Sequence, residues 1–419
     1  MRIAFTTLGC KINQYETERM RHDLAQDGNT FVPFDAEADV YVINTCSVTA
    51  KADAQCRQLI KAAAKRNQQA RVVVTGCYAE TRPDEIKGIP GVSLVLGNEG
   101  KSNIATHLGT GKGTANHRPP SVMAVQERTR AFLKIQDGCD NFCSYCIVPY
   151  ARGRSRSADP GEVLREFNRL VQAGYTEIVL TGIHIGMYGT DLGADLNLTK
   201  LISSLNDRRG DARLRLSSIE PHEVTEGIMQ LIGKGICRHL HIPLQSGDDA
   251  ILAAMRRSYT SHYYRKLLDR LAHHIPGIAL GADVMVGFPG EDDKAFQNTV
   301  DLVRESPLTH LHVFSYSPRP GTNAAQMEMQ VPEQIKQERN ELLRKLGEEK
   351  NLEFRKSQVE KKNQVIVEDK QDQQTGLFSG LTDNYIRVNI QGARKGDIGK
   401  KILVRLHSVE KSRNFGVIV

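Results

Sequence analysis

Short apolar runs alternate with helical patterns over the first quarter of the chain. The runs are rich in Val and Ile, and each ends near a turn-forming residue, which is typical of buried parallel strands. They are RIAFTTLG (2–9), DVYVINT (39–45), RVVVTG (71–76) and VSLVLG (92–97). Residues 14–27 and 50–66 between them carry polar and Ala-rich helical patterns. This alternation predicts an open α/β domain with a doubly wound parallel sheet over residues 1–108.

A second and longer series of strand-like runs begins at residue 131. The runs are AFLKIQ (131–136), TEIVLTG (176–182), RLRLSS (213–218), RHLHIPL (238–244), IALGADVMVG (278–287) and HLHVFSYS (310–317). Helical patterns separate them, for example at 161–174 and 292–306. Six consecutive β/α units predict a partial parallel (β/α)6 barrel over 131–331, because neighbouring parallel strands tend to pair. Residues 109–130 have the Gly, Pro and polar content of a linker.

The C-terminal part of the chain changes its period. Residues 332–362 carry a strongly charged helical pattern and are predicted to form a connecting helix. From 363 to 419, apolar and polar residues alternate between Gly-containing turns, which predicts a small antiparallel β-barrel. Eight basic and two acidic residues lie between Arg387 and Arg413. A charge cluster alone usually indicates a solvated surface, but on a small β-barrel it makes a nucleic-acid backbone a candidate partner.

Composition changes this picture only in part. Of the 419 residues, 40% are hydrophobic and 25% charged, and the net charge is +7, which is ordinary for a globular protein of two or three domains. The N-terminus lacks the pattern of a secretory signal, and no run approaches the length of a membrane span, so we expect a cytoplasmic protein. In a reducing compartment, the eight cysteines are better candidates for metal ligands or catalysis than for disulfides.

Three cysteines lie close together in the stretch DGCDNFCSYC. Cys139, Cys143 and Cys146 follow the first predicted barrel strand, at the end where parallel α/β enzymes place their sites. Structural zinc normally takes four ligands, and no fourth Cys or His lies nearby. Three thiolates suit a [4Fe–4S] cluster with one iron left open for an outside ligand. Tyr145 fits the aromatic position of the radical S-adenosylmethionine (SAM) signature.

A second set of three cysteines is dispersed along the N-terminal region. Cys10, Cys46 and Cys77 each follow a predicted strand, at the edge where open α/β sheets bind ligands. Three buried structural cysteines are the alternative, since free Cys is commonly buried. Equivalent positions after three strands favour a second three-thiolate site. Cys56, in a predicted helix, and Cys237, before a barrel strand, are interpreted as packing residues.

The combination resembles one known family, the radical SAM methylthiotransferases, and the resemblance runs nearly from end to end. The motifs that carry it are TTLGCKINQYETE, VINTCSVT, VVVTGCYAE, LKIQDGCDNFCSYCIVPYARG, IVLTGIHIGMYG, LSSIEPHEV, HLHIPLQSGDDAIL, DVMVGFPGE and HVFSYSPRPGTNAA. They look most like the branch that acts on threonylcarbamoyl-adenosine at tRNA position 37. The resemblance implies that the small C-terminal barrel is a TRAM domain.

The resemblance also implies a two-stage reaction that uses two [4Fe–4S] clusters and SAM. Cys10, Cys46 and Cys77 would hold an auxiliary cluster that carries or supplies sulfur. The C-x₃-C-x₂-C cysteines would hold the cluster that cleaves SAM, and the resulting radical would remove the C2 hydrogen of the adenine. The base must leave its stack to react, and the tRNA anticodon loop presents unstacked bases readily. An electron donor such as flavodoxin or ferredoxin and a sulfur donor are expected partners, and a monomer is expected.

Further positions are predicted to contact cofactor or RNA. Candidates for SAM or substrate contacts are Thr181, Gly182, Glu220, Gln245, Val286 and Gly287. Candidates for RNA contacts are Arg152, Arg154, Arg156, Arg387, Arg394, Lys395, Lys400, Lys401 and Arg405. For Glu220 and Gln245, a capping or supporting role is an equal alternative. His184, His239 and His241 are interpreted as core or supporting residues rather than metal ligands.

Other functions were weighed against this one. GNEGKS (97–102) ends like a phosphate-binding loop, but the full motif requires Gly at Val95, so a nucleoside triphosphatase is rejected. A methylthiotransferase that acts on isopentenyl-adenosine or on a ribosomal-protein side chain stays open. A zinc-stabilised RNA-binding protein without enzymatic activity is the remaining alternative, and it predicts zinc without iron.

Overall fold

The computed structural model describes residues 1–110, 129–193 and 195–419. These residues fall into two compact units, each built from separate parts of the chain. Unit 1 takes the described residues of 1–123, 137–156 and 317–325, and unit 2 takes those of 124–136, 157–316 and 326–419. Most of the linker predicted at 109–130 lies outside the described residues, and the division of the chain into five segments stays a prediction.

The strands are, in chain order, β1 (Arg2–Thr7), β2 (Thr30–Val32), β3 (Val40–Thr45), β4 (Arg71–Gly76), β5 (Val92–Leu96), β6 (Ala131–Lys134), β7 (Gln136–Asp137), β8 (Arg156–Ser157), β9 (Glu177–Thr181), β10 (Arg213–Leu216), β11 (His239–His241), β12 (Ala279–Val286), β13 (His310–Ser315), β14 (Lys362–Gln371), β15 (Phe378–Thr382), β16 (Arg387–Gln391), β17 (Lys401–Val409) and β18 (Asn414–Ile418). The α-helices are α1 (Lys11–Ala25), α2 (Ala50–Arg66), α3 (Cys77–Thr81), α4 (Pro83–Lys87), α5 (Ile104–Leu108), α6 (Val148–Arg152), α7 (Pro160–Gln172), α8 (Leu198–Arg208), α9 (Glu226–Leu231), α10 (Asp249–Ala254), α11 (Ser261–His274), α12 (Asp293–Glu305) and α13 (Glu333–Lys356).

Unit 1 is built on a parallel sheet with the strand order β2-β1-β3-β4-β5. Alternate residues of its strands enter two apolar clusters on opposite faces. One cluster includes Ile60 of α2, and the other includes Met20 of α1 and Ile104 of α5. The doubly wound sheet is thus confirmed. The sequence pattern missed β2, because its three residues are too few to show a period.

Unit 2 contains the six predicted barrel strands. They form two parallel sheets with the orders β6-β9-β10 and β11-β12-β13, so neighbours in the chain are neighbours in space. Backbone hydrogen bonds join the two sheets, for example from Cys237 N to Leu214 O at 2.8 Å and from Ile219 N to His241 O at 3.0 Å. The outer strand faces pack against α7, α8, α11 and α12 in one large apolar cluster. The partial (β/α)6 barrel is confirmed.

The last strands of unit 2 form the small closed barrel, with the order β14-β15-β16-β18-β17. Its pairings are antiparallel except for one, since β16 and β18 run parallel. The predicted small antiparallel β-barrel is confirmed, and the one parallel pairing is a detail that the sequence pattern did not predict. The pattern of alternating residues gives strands but not their directions, and closure of the barrel brings these two together. The connecting helix predicted at 332–362 is α13.

A buried ion network joins the small barrel to the partial barrel. Glu177 accepts hydrogen bonds from Arg213 Nε at 2.7 Å and Arg215 Nε at 2.8 Å. Burial alone would raise the pKa of Glu177, but the charges of Arg215 and Arg213 outweigh burial and hold the pKa far below its usual value. The same arginines donate to backbone carbonyls of the small barrel. Arg213 bonds to Leu381 O at 2.8 Å, and Arg215 bonds to Thr382 O at 3.0 Å.

None of the helices in the described residues combines the length and the apolar character that crossing a membrane requires.

Candidate metal centres

The three dispersed cysteines meet at one edge of the sheet in unit 1. Cys10 caps the N-terminus of α1 after β1, Cys46 follows β3, and Cys77 begins α3 directly after β4. Strands β1, β3 and β4 are adjacent in the sheet. Residues that are 36 and 31 positions apart in the chain thus lie at the same edge of the sheet, and their binding of one cluster stays a prediction.

Two glycines allow the strand ends to approach this closely. Gly9 has a φ of +102°, and a Cβ there would lie 2.8 Å from Cys46 Cβ and 3.0 Å from its Sγ. Gly76 has a φ of +100°, and a Cβ there would lie 2.4 Å from Thr45 O. Any side chain at these positions would push the cysteine-bearing segments apart, which explains the Gly-Cys pairs of the sequence.

Burial keeps two of these thiols protonated in the metal-free chain. Burial raises the pKa of Cys46 to about 11. Burial also raises the pKa of Cys77, and the cations of Arg152 and Lys101 offset this only in part. Because metals bind thiolates, loading this site must release protons, and cations beside the thiols favour that release.

The C-x₃-C-x₂-C cysteines lie on a loop of the same unit, and all three are half-buried. The loop is closed by backbone hydrogen bonds from Cys139 N to Gly153 O at 3.1 Å and from Cys146 N to Cys143 O at 3.0 Å. Gly138, with a φ of +73°, lies directly against Arg154 O, where a Cβ would not fit. Asn141 N donates a hydrogen bond to Cys139 Sγ at 3.5 Å.

A buried ion network lies between the two cysteine regions of unit 1. Arg152, at the end of α6, donates to Glu16 Oε1 at 2.8 Å, to Asn13 Oδ1 at 2.5 Å and to Asp137 Oδ1 at 3.2 Å. Lys101 donates to Glu16 Oε2 at 2.5 Å and is 5% exposed. Asn13 and Glu16 belong to the helix that begins after Cys10, whereas Asp137 stands two residues before Cys139. One arginine thus connects both regions.

The position of Arg152 does not fit its predicted contact with RNA. Its side chain is buried and bonded to carboxylates, so a phosphate has no access to it. Its Nε has no hydrogen-bond partner among the described residues, although it is buried and Arg152 is close to Cys77. The inorganic sulfide of a cluster bound at Cys77 can accept a hydrogen bond from this buried N–H. The residues present therefore fit an iron–sulfur cluster.

The segment 317–325 contacts both cysteine regions. Arg319 Nη2 donates to Ser47 Oγ at 2.9 Å, next to Cys46, and it also pairs with Asp53 of α2. Ala324 N donates to Ser144 O at 2.8 Å, inside the C-x₃-C-x₂-C loop. Sequence reasoning did not identify Arg319, Asn13, Glu16 or Lys101. Lys101 is the lysine of the rejected phosphate-binding loop, and its ion pair with Glu16 explains its burial.

Three of the predicted SAM or substrate contacts lie at the ends of strands or beside them in unit 2. Gln245 has a φ of +64°, and its buried Oε1 has no hydrogen-bond partner among the described residues. Gly182 lies against Gln136, and a Cβ there would be 2.9 Å from Gln136 Oε1. Thr181 ends β9 and is buried. These contacts stay predictions.

Three other predicted contacts have structural roles. The side chain of Val286 is fully buried in the apolar cluster of the barrel, so it packs within the core, and its contact with an adenine stays a prediction. Gly287 N donates to Glu291 Oε1 at 2.8 Å, and a Cβ at Gly287 would lie 2.3 Å from Lys336. Glu220 caps a short 3₁₀ helix (Pro221–Glu223) and pairs with Arg257. The supporting role that was the alternative for Glu220 fits this geometry.

The predicted RNA contacts differ in their accessibility. Arg394, Lys395, Lys400 and Arg405 are exposed, as are Arg154 and Arg156. Arg387 is exposed as well and pairs with Glu368, whereas Lys401 donates to Asp211 O at 2.6 Å and is mostly buried. The side chain of Lys401 is held within unit 2, so a phosphate has less access to it than to the exposed residues.

The remaining cysteines and two histidines lie in packed surroundings. Cys56 is buried and donates to Cys46 O at 3.5 Å, and burial raises the pKa of Cys56 to about 12. Burial likewise raises the pKa of Cys237 to about 12. His184 and His239 are each 5% exposed, and the ring of His239 stacks on Tyr385 at 4.2 Å.

Two family models match this chain. The model described as "Uncharacterized protein family UPF0004" matches residues 2–97, and the model of the radical SAM superfamily matches residues 133–303. The radical S-adenosylmethionine methyltransferase TsrM from Kitasatospora setae is similar in structure, with a TM-score of 0.57, 16% identity and 77% of both chains covered. At that identity, the likeness shows the fold alone.

Curated relatives match over nearly the whole chain. The threonylcarbamoyladenosine tRNA methylthiotransferase MtaB of Bacillus subtilis (strain 168) is 41% identical and covers 100% of this chain and 96% of its own. The protein of the same name from Thermotoga maritima is 36% identical, and the match covers 94% of this chain and 92% of that protein. A tRNA-2-methylthio-N(6)-dimethylallyladenosine synthase of Clostridium botulinum is 32% identical, and the match covers 96% of this chain and 93% of that protein. The chain therefore belongs to the radical SAM methylthiotransferase family.

Proposed function

We propose that this chain transfers a methylthio group to C2 of N6-threonylcarbamoyladenosine at position 37 of tRNA, next to the anticodon. The observation that carries this proposal is the presence of both three-cysteine sets in one compact unit. It is supported by the whole-chain similarity to proteins named for that activity.

The chain would hold two [4Fe–4S] clusters. Cys10, Cys46 and Cys77 would bind the auxiliary cluster that carries or supplies sulfur, and the cations of Arg152 and Lys101 would balance the negative charge of its thiolates and sulfides. Gly9 keeps the segments of Cys10 and Cys46 in close contact. The unpartnered Nε of Arg152 is available to donate a hydrogen bond to a cluster sulfide.

Cys139, Cys143 and Cys146 would bind the second cluster, together with SAM. Bound together, that cluster and SAM supply the radical chemistry that removes hydrogen from an unactivated carbon. The chain itself orients these partners. Backbone hydrogen bonds close the cysteine loop, and the segment 317–325 binds to it through Ser144. Gln245, with an unpaired buried oxygen, is the best-supported candidate for a contact to SAM or substrate.

The RNA substrate would contact the small barrel, proposed to be a TRAM domain. Arg394, Lys395, Lys400 and Arg405 present exposed cations there, and such side chains bind phosphates without reading sequence. The target base must be splayed out of the anticodon loop to react. The electron donor, such as flavodoxin or ferredoxin, the sulfur donor and the monomeric state stay predictions.

The experiment that tests this proposal compares three tRNA substrates. The reconstituted chain is incubated anaerobically with SAM, a reductant, a sulfide source and tRNA that carries threonylcarbamoyl-adenosine, isopentenyl-adenosine or unmodified adenosine at position 37. Nucleosides are then quantified by mass spectrometry. We expect the 2-methylthio derivative of threonylcarbamoyl-adenosine only. A product from isopentenyl-adenosine alone would assign the chain to the other branch, and 5′-deoxyadenosine without any methylthio product would reject the tRNA substrate.

A further inference from the structure

Three adjacent strands of the partial barrel place two histidines and one aspartate on the same face. His241 ends β11, Asp283 lies within β12, and His312 lies within β13. Asp283 and His312 are register partners, and His241 pairs with Gly281, two residues before Asp283. The residues on either side of them alternate into the apolar cluster beneath the helices. The three polar side chains therefore share the concave face of the barrel.

The three side chains, which we name the His–Asp–His cluster, converge on one point. His241 Nε2 lies 3.1 Å from Asp283 Oδ1, and His312 Nδ1 lies 3.4 Å from the same oxygen. One ligand atom from each of the three lies within 4.8 Å of the others. Gly281 makes room for the ring, because a Cβ there would lie 2.8 Å from His241 Nδ1.

The His–Asp–His cluster is accessible from one side. The side chains of His241 and Asp283 are 13% and 29% exposed, whereas that of His312 is 72% exposed. His312 lines a cleft of about 1080 Å³ that α13 and the small barrel also line. A small ion can therefore reach the carboxylate, while the strands hold two of the three side chains in place.

We propose that the His–Asp–His cluster binds one divalent transition-metal ion, such as Zn²⁺ or Co²⁺. Two imidazoles and one carboxylate are a common ligand set for such ions, and the present spacing of nitrogen and oxygen atoms needs little change to place an ion between them. Three protein ligands leave a coordination position open to water or to an oxygen of a molecule in the cleft. This proposal gives His241 the role of a metal ligand, where the sequence favoured a core or supporting role. The proposal is independent of the proposed function, because no cysteine takes part.

The test measures Co²⁺ binding to the chain loaded with its iron–sulfur clusters. Asp283→Asn and His312→Ala each remove one ligand, and His262→Ala removes an exposed histidine elsewhere in unit 2 as a control. The wild type and the control should bind about one Co²⁺ per chain more than either ligand variant, or bind it more than roughly tenfold more tightly. The absorption of that Co²⁺ should lack thiolate charge-transfer bands.

A second measurement keeps the test decisive if a variant folds poorly. Crystals of the wild-type chain grown with CoCl₂ are measured at the cobalt absorption edge. An anomalous peak about 2.0–2.2 Å from His241 Nε2, His312 Nδ1 and the carboxylate of Asp283 supports the proposal. Equal Co²⁺ binding by the wild type and both ligand variants, or anomalous cobalt only at the cysteines, would overturn it.

Discussion

The two sets of three cysteines offer the same three thiols, but they occupy different kinds of position in the fold. Cys139, Cys143 and Cys146 lie within eight residues of one loop, whereas Cys10, Cys46 and Cys77 come from the ends of three strands. We call Cys139, Cys143 and Cys146 the loop set and Cys10, Cys46 and Cys77 the strand set. The loop cysteines are all half-buried. In the strand set, Cys10 is exposed and Cys46 and Cys77 are buried, and Cys77 lies near the buried cations of Arg152 and Lys101. The loop set depends on local backbone geometry, whereas the strand set depends on the folding of a whole sheet.

This difference predicts how each set responds to change. A loop site is lost through its own ligands, but a site at the edge of a sheet is also lost through any residue that holds the strand ends together. The strand set should therefore be sensitive to substitutions at Gly9, Gly76 and Arg152, none of which is a ligand.

The largest expected effect separates the chemistry of the two sets. Changing Cys139, Cys143 and Cys146 together to Ala should reduce SAM cleavage to background, because the SAM-binding iron is lost. Changing Cys10, Cys46 and Cys77 together to Ala should abolish methylthiolation but retain SAM cleavage to 5′-deoxyadenosine. Chromatography of SAM products and mass spectrometry of tRNA nucleosides measure both. Loss of SAM cleavage in both variants would remove the distinction between the sets.

Arg152 should have the next largest effect. Arg152→Gln leaves Asp137 without its buried counter-charge and Glu16 with Lys101 alone, which should lower the free energy of unfolding by about 3–5 kcal/mol. Iron bound by the strand set should fall with it. Thermal melting and iron determination measure the two effects. Arg154→Gln is the control, because Arg154 is 73% exposed and its removal should cost less than about 0.5 kcal/mol. Equal behaviour of both variants would contradict the structural role of Arg152.

A smaller effect is expected from the glycines before the cysteines. Gly9→Ala strains a left-handed residue at a cost of about 1–3 kcal/mol and pushes against Cys46, so the strand set should lose iron while the loop set keeps it. Gly28→Ala is the matched control, because Gly28 also has a positive φ of +73° but no atom lies within 4 Å of the added Cβ. The free energies of unfolding of the two variants should agree to within about 2 kcal/mol, whereas only Gly9→Ala should bind less iron. Full iron in Gly9→Ala would show that close approach of the segments is not required.

The smallest effect should come from the two cysteines outside both sets. Cys56→Ala and Cys237→Ala remove small buried side chains, which should lower stability by about 1–2 kcal/mol. The iron content should not change, even though Cys56 lies beside Cys46. Metal analysis of each variant checks this, and a loss of iron in Cys56→Ala would make it a fourth member of the strand set.

Much of this molecule could be predicted from the sequence because its strands are buried and regular. Continuous apolar runs predicted the parallel sheet and the six barrel strands. The ends of three runs pointed to Cys10, Cys46 and Cys77, and local spacing pointed to Cys139, Cys143 and Cys146. The short strand β2 and the parallel pairing of β16 with β18 could not be predicted, because three residues show no period and a pattern carries no strand direction.

The residues that sequence reasoning missed or misplaced act through distant partners. Arg152 follows the cysteine loop among other arginines, and its burial depends on Glu16, 136 positions earlier. The burial of Lys101 depends on the same Glu16, and the false phosphate-binding motif around Lys101 gives no sign of this partner. Val286 was expected at the cofactor, but strand alternation turns its side chain into the core. His241 acquires its neighbours Asp283 and His312 only when three strands align.

The measurement that tests the central claim most directly is an anaerobic determination of iron, sulfide and zinc. It is made on the reconstituted wild type and on each of the two triple cysteine variants. Two clusters predict about eight iron atoms per chain in the wild type and about four in either variant. A wild type with only about four iron atoms, all lost with Cys139, Cys143 and Cys146, would contradict the second site. Zinc without iron would contradict the radical mechanism.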